Sequence, residues 1–317
     1  MARLEPVEAA ARRAVSATLD DLAPGARLVV GVSGGSDSLA LTAVAAHVAR
    51  AEGHELLAVV VDHGLQDDSA GVAERAAEQV RGLGVDVEVD RVAVGDAGGP
   101  EAAARTARRA ALVRRGADAV LLGHTLDDQA ETVLLGLGRG SGPRSLSGMA
   151  AVAPPFRRPF LSLTRADTRR LCTLHGLTWW DDPHNADPRY TRARLRHEVL
   201  PLLEDVLGGG VAGALARSAD LLRPDVELLD ALAVAAAADV PTLDVPGLAA
   251  LHPALRSRVL RQAALDAGAR PDELAAHHVA ELVRLVVDYR GQQRVELPGH
   301  VSCRREAGRL TFGPTPA

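Results

Sequence analysis

The sequence predicts an α/β fold: a doubly wound parallel sheet followed by a smaller, mainly helical C-terminal domain that ends in a short strand pair. Three observations carry this. Short apolar runs alternate with helical stretches through the first 140 or so residues, the pattern of βα units in a parallel sheet. A glycine- and serine-rich loop, Ser33-Gly34-Gly35-Ser36-Asp37-Ser38, sits between the first apolar run and a helix. Gly208-Gly209-Gly210 then marks a linker, beyond which helical patterning dominates. At 317 residues, two domains are the expectation, divided as 1–209 and 210–317.

The elements follow in order. Residues 8–20 read as an amphipathic helix, Leu28–Val32 as a strand, and Leu39 to about Ala51 as the helix after the loop. Leu56–Val61 and Val85–Val92 are further strands, and Glu101–Arg115 is helical by its Ala and Arg content. Ala119–Leu122 is a strand, with a helix from about Asp127 to Leu137. Arg139–Pro159 reads as loop, Thr164–His175 as helix, Leu177–Trp180 as a short strand and Thr191–Leu203 as helix. Helices fill Ala212–Val287. Arg294–Leu297 and Val301–Phe312 close the chain as two strands around a Pro298-Gly299 turn. In such a sheet the site is expected at the carboxyl ends of the strands.

Composition narrows the chemistry. All 36 basic residues are arginine, so a Walker-type phosphate loop and a Schiff base on a protein amine, both of which need lysine, are excluded. The two cysteines, Cys172 and Cys303, form no Cys-x-x-Cys or zinc spacing. Aromatic residues are 2% of the chain, too few for a generic single-strand binder built on stacking. The net charge is -5, yet Arg139–Arg196 holds 11 Arg against four acids, which suggests a local polyanion contact. Charged residues in the N-terminal stretch exclude a secretory apolar region, and no apolar run nears the ~20 residues that span a bilayer. A cytoplasmic protein is expected.

The loop Ser33–Ser38 has the ingredients of a phosphate cradle. Glycines allow close backbone approach, serines add hydroxyl donors, and the helix N-terminus supplies free amides. Gly123-His124-Thr125-Leu126-Asp127-Asp128-Gln129-Ala130-Glu131-Thr132 follows a later strand, and His124, Asp128 and Glu131 at i, i+4 and i+7 share a helix face. Such a cluster suits a cationic amine or a metal ion; acids at a solvated helix start give the same pattern. Asp62-His63-Gly64-Leu65 follows the second strand, where a ligand-facing loop belongs.

Ser-Gly-Gly-Ser-Asp-Ser resembles the PP-loop of the N-type ATP pyrophosphatases. With it stand the Gly-His segment just quoted, Arg139-Gly140-Ser141-Gly142, Leu146-Ser147-Gly148-Met149 and Arg158-Pro159-Phe160-Leu161. Asp181-Asp182-Pro183-His184-Asn185 and Tyr190-Thr191-Arg192-Ala193-Arg194-Leu195-Arg196-His197 complete the series. Together they resemble the tRNA(Ile)-lysidine synthetase family from about Leu28 to Leu203, with a weaker echo in the closing strands.

The resemblance implies an enzyme that uses ATP and Mg2+ to adenylate the 2-oxo oxygen of the wobble cytidine of an isoleucine tRNA with a CAU anticodon. Free L-lysine would then attack carbon 2, releasing AMP and pyrophosphate. It implies that Ser33, Gly34, Gly35, Ser36, Asp37 and Ser38 bind the nucleotide and that Asp37 helps hold magnesium. Asp37, Arg105, His124, Asp128, Glu131 and Arg196 would form the active-site set. Asp128 and Glu131 would hold the amine, Arg105 and Arg196 would stabilise charge at the α-phosphate, and His124 would act as base or phosphate contact. The arginine-rich segment would meet tRNA phosphates, with Trp179, Trp180 and Tyr190 as stacking candidates. The helical C-terminal domain would bind tRNA.

Two positions depart from the family pattern. Gln66 stands where an Arg is frequent, and Ala193 where an Asn is. A homodimer remains open. The alternatives are a PP-loop tRNA thiolase, disfavoured by the isolated cysteines, a small-molecule amidating ligase, and a non-catalytic nucleic-acid-binding module.

Overall fold

Strands buried on both faces must be covered by helices on both sides, and that requirement organises the N-terminal part of the computed structural model. The structure describes residues 4–62, 64, 68–92, 100–271, 273–292 and 294–315, the side chains at 100–102 and 184 apart. His63, Leu65 and Gln66 lie outside the described residues. The chain divides into two units, Met1–Thr132 with Met149–Ala216, and Val133–Gly148 with Arg217–Ala317.

The first elements are α1 (Pro6–Ala17), β1 (Arg27–Val32), α2 (Ser36–Glu52), β2 (Glu55–Asp62), α3 (Ser69–Gly82), β3 (Asp86–Arg91), α4 (Pro100–Val113), β4 (Ala119–Leu121) and α5 (Leu126–Gly138). The sheet runs β3-β2-β1-β4 and is parallel, with Val32 opposite Val60 and Val30 opposite Leu121. The chain winds from β1 out to β2 and β3, then returns to the other side of β1. That switch point opens a crevice at the carboxyl ends of β1 and β4. Helix α2 is apolar around nearly its whole circumference and is buried along most of its length, so it packs as a core helix. Leu39, Leu41 and Val44 of α2 meet Leu28 and Val30 of β1 in one core, while Val29, Val59 and Val120 meet Leu112 of α4 on the opposite face. Edge strand β3 carries Asp86, Glu88 and Asp90, whose charges discourage pairing with another chain.

The stretch 139–159 is not the plain loop its Gly, Pro and Ser content predicts. It holds a single turn, α6 (Pro143–Leu146), and two short strands, β5 (Val152–Ala153) and β6 (Phe156–Arg157), which extend the sheet beyond β4. Two-residue strands are too short for alternation to register. Gln129 of α5 fixes their approach: it donates to Met149 O at 3.0 Å and accepts from Met149 N–H at 2.7 Å. Helix α7 (Arg165–Leu174) begins with a reciprocal capping box between Thr164 and Asp167.

Residues 177–180 form no strand. Their backbone groups have other partners: the Gln79 amide bonds both sides of Thr178, and Trp180 N–H donates to Gly34 O at 3.0 Å. The helix expected over 191–203 is α8 (Thr191–Arg194), a π-turn (Leu195–Val199) and α9 (Leu200–Val206). Gly208, Gly209 and Gly210, all with positive φ, follow it.

Beyond them run α10 (Val211–Ala238), α11 (Val245–Ala250), α12 (Pro253–Asp266) and α13 (Ala276–Val287). The expected closing strand pair is a three-stranded antiparallel sheet, β7 (Val295–Leu297), β8 (Val301–Glu306) and β9 (Arg309–Pro314). The single run Val301–Phe312 folds back at Ala307-Gly308, where both residues take left-handed φ. Alternation continues on either side of that turn and hides it in the sequence. Leu248, Leu260, Leu282, Leu285 and Cys303 form the core of this unit. No single described helix is long and apolar enough to cross a membrane.

Candidate active site

The crevice holds a cavity of about 710 Å³ lined, among others, by Ser33, Gly35, Ser36, Asp37, Ser38, His124, Asp128 and Arg196. The loop after β1 is held from within. Gly34 takes φ +81°, a conformation glycine adopts without strain. Ser38 Oγ accepts from Ser33 N–H at 3.1 Å and donates to Gly35 O at 3.0 Å. The carbonyl of Gly34 accepts from Trp180 N–H, which ties the loop to the segment before Asp181.

A close backbone approach brings the second loop to the first. A Cβ on Gly123 would lie 2.9 Å from both C and O of Asp37 and 3.0 Å from Ser38 N. Glycine alone fits there, and the fit sets His124 and the start of α5 beside the phosphate-type loop. His124 itself precedes α5, so only Asp128 and Glu131 lie on the helix. Thr125 caps the helix start through Asp128 Oδ2, which accepts from its N–H at 2.8 Å and its hydroxyl at 3.0 Å.

The acids are gathered, and arginines from distant segments meet them. Arg165 Nε reaches Asp37 Oδ2 at 3.4 Å and Arg165 Nη2 reaches Asp128 Oδ1 at 3.1 Å. Arg196 Nε donates to Glu131 Oε1 at 2.8 Å, with Nη2 3.5 Å from Asp128 Oδ1. The Thr168 hydroxyl donates to Asp37 Oδ1. Glu131 is fully buried; its Oε2 accepts no hydrogen bond among the described residues, and Arg192 Nη1 lies 3.7 Å away.

Burial raises the Asp37 carboxyl above its ordinary range, against the pull of Thr168 and Arg165. Burial likewise raises Glu131, with Arg196 opposing. Asp128 is buried too, but Arg165, the Thr125 N–H, His124 and Arg196 draw it below the usual value. His124 is pushed down to about 4 by burial, with Asp128 opposing and the charges of Arg158, Arg105 and Arg192 adding to the shift. It is neutral at pH 7.

Arg105, expected in the set, does not line the cavity; it is exposed on α4, within electrostatic reach of His124. Arg108, three residues on, lines it instead. Arg165, Thr168 and Arg192 were not predicted. Each sits on a helix start where an Arg or Thr is unremarkable, and only folding shows what it faces.

The arginine-rich segment is largely neutralised by its own chain. Arg157 grips Asp21 through two nitrogens, Arg169 meets Asp181, Arg170 meets Glu5, Arg189 meets Asp187 and Arg194 meets Glu198. Trp180 lines the cavity, whereas Trp179 packs on the core and donates to Asp181. Tyr190 is not among the lining residues. Ala193 is buried on α8. Cys172 lies under the loop, its thiol donating to Ser36 O, and burial raises its pKa to about 12. It stays a thiol, unsuited to sulfur transfer.

Residues 7–203 match the family model described as a PP-loop domain, and residues 243–311 match the one described as a TilS substrate binding domain. The chain is 54% identical to tRNA(Ile)-lysidine synthase of Streptomyces coelicolor, over 90% of this chain and 84% of that protein. It is 52% identical to that of Thermobifida fusca, over 96% and 97%. Among solved structures, the U34-tRNA thiolase NcsA from Methanococcus maripaludis aligns with a TM-score of 0.57 at 19% identity, covering 68% of this chain and 80% of that one. At that identity the likeness extends to the fold alone.

Replacing Gly123 by Ala is expected to displace the Asp37–Ser38 backbone and weaken ATP binding by about tenfold or more, since small misplacements at a site are costly; equilibrium dialysis of a non-hydrolysable ATP analogue measures it. His124 generates a pH effect. Its folded pKa lies below its unfolded one, so between about pH 6.5 and 4 the unfolded chain binds the extra proton and stability falls on acidification. The loss specific to this group is on the order of 3 kcal/mol at most. Urea denaturation at pH 7 and pH 4.5 is expected to show His124→Gln losing less stability than the parent.

Proposed function

Because the chain belongs to the tRNA(Ile)-lysidine synthase family, we propose that it uses ATP to adenylate the 2-oxo oxygen of the wobble cytidine of an isoleucine tRNA with a CAU anticodon. Free L-lysine then replaces that oxygen, and AMP and pyrophosphate are released. One observation carries the reading: a phosphate-type loop and Asp128 line the same cavity, and the buried Glu131 is hydrogen-bonded to Arg196 of its wall.

The loop Ser33–Ser38 holds the outgoing pyrophosphate, its amides and hydroxyls matching phosphate oxygens. The cytidine oxygen attacks the α-phosphorus as the bond to pyrophosphate breaks. Mg2+ fits Asp37: a lone carboxylate is an ordinary protein share when phosphates supply further ligands, and no group of three or more His, Cys, Asp or Glu is gathered among the described residues to cage an ion on its own. Bound there, it would neutralise charge on the leaving phosphates.

In the second step the lysine ε-amine forms a bond to carbon 2 and AMP leaves with the original oxygen. Asp128 and Glu131 attract the ammonium. Glu131, with its raised pKa and unbonded Oε2, is the carboxylate best suited to take the proton the amine must lose. Neutral His124 serves as a hydrogen-bonding contact rather than a cation. Arg196, on the cavity wall, counters charge developing at the α-phosphate. Residues 210–317 form the domain that binds tRNA, and residues 1–209 the catalytic one.

Mass spectrometry of an unmodified isoleucine tRNA transcript after incubation with enzyme, ATP and lysine is expected to show a gain of one lysine less one water, with AMP and pyrophosphate formed. Asp37→Ala is expected to abolish all three. Product formed without lysine, or with glutamine as the amine donor, would redirect the assignment. Glu131→Ala is expected to raise the KM for lysine on the order of 10- to 100-fold, the worth of a charge-assisted hydrogen bond or two, and to change ATP binding much less. Steady-state kinetics with each substrate varied separates the two, and equal losses would remove Glu131 from the amine site.

A further inference from the structure

The first turn of α7 ties together acids from two other segments. Arg165 N–H donates to Asp127 Oδ2 at 2.8 Å, and the Arg165 side chain spans Asp37 and Asp128. Thr168 holds the other oxygen of Asp37. The Thr164–Asp167 capping box fixes the turn from which both side chains leave.

One guanidinium therefore bridges the acid of the phosphate loop and an acid of the amine pair. A planar fork of donors can do this through two separate nitrogens; an ammonium cannot span two such acceptors in the same way. While the bridge stands, Asp128 is taken on both sides: Arg165 and Arg196 are on Oδ1 and Thr125 is on Oδ2. A cationic amine arriving at Asp128 meets a guanidinium already in place. The bridge is not tight. Its Asp37 contact is long at 3.4 Å, and the Arg165 side chain is one-fifth exposed on the cavity wall, beside the loop that receives phosphates.

We propose that Arg165 is a positioning residue that couples the two substrates: nucleotide phosphates draw its guanidinium away from Asp128, and so open that carboxylate to the amine. Phosphate oxygens offer a guanidinium bidentate, charge-assisted hydrogen bonds and more negative charge than the carboxylate it leaves. Nucleotide binding thus precedes productive amine binding. Linkage makes the effect reciprocal, so lysine tightens the nucleotide by the same factor. The inference rests on the amine role proposed for Asp128 and Glu131.

The test is calorimetric titration of the full chain with L-lysine, alone and with saturating non-hydrolysable ATP analogue and Mg2+. For the parent, affinity for lysine is expected to rise tenfold or more with the analogue. Arg165→Gln is expected to bind lysine equally with and without it, and Arg165→Lys, which keeps the charge but not the fork, to lose most of the dependence. A residue needed only for folding would lower both affinities and leave their ratio intact. Equal lysine affinity in the parent under both conditions, or a full nucleotide effect in both variants, overturns the coupling while leaving the amine site standing. Absence of lysine binding in every form removes the amine site, and the coupling with it.

Discussion

Three carboxylates on one crevice wall and a fourth buried beside their arginines would repel one another, and the arrangement of this site follows from how that repulsion is met. Asp37, Asp127, Asp128 and Glu131 come from the loop after β1 and the segment after β4. Arg165, Arg192 and Arg196 come from α7 and the π-turned helix further along. Taking an ion out of water costs several kcal/mol even after relaxation, so none of these acids stays charged here unless an arginine or a network of donors is within reach. The arginine-rich segment is in large part the counterion of the active site and of the protein's own surface.

Opposing shifts within the cluster give its members different work. Asp37 and Glu131 are raised because burial outweighs their partners, whereas Asp128 is lowered because its partners outweigh burial. An acid held ionised attracts a cation; one whose pKa is raised is the stronger base toward an incoming proton. Separating such values within a few ångströms is a common device for running acid–base chemistry at neutral pH. The neutral His124, its buried Nδ1 without a partner among the described residues, is a further polar group that a ligand or an ordered water would satisfy.

Family, reaction class and phosphate loop were legible because they rest on local sequence. Ser33–Ser38 is a contiguous string between a strand and a helix, and Asp128 and Glu131 are three apart on one helix. Arg105 and Arg108 show the limit: both lie on α4, one helical turn apart, and the sequence does not say which looks into the cavity. Leu177–Trp180 has strand-like residues, yet the Gln79 side chain and the Gly34 carbonyl claim its backbone. The three-stranded closing sheet read as two because Ala307-Gly308 turns without breaking the surrounding alternation.

By itself the sequence determined the parallel sheet, the loop at its mouth and the kind of chemistry that loop serves, since short-range periodicity and turn chemistry fix these within a dozen residues. Tertiary structure alone decided that Gly123 is the point of contact between two loops, and that Arg165 and Arg196 pair with the acids gathered there. Those facts depend on pairs separated by up to 128 positions, as Asp37 and Arg165 are. No propensity records a partner so far away; it exists only once β1 and β4 lie side by side and α7 packs against α2.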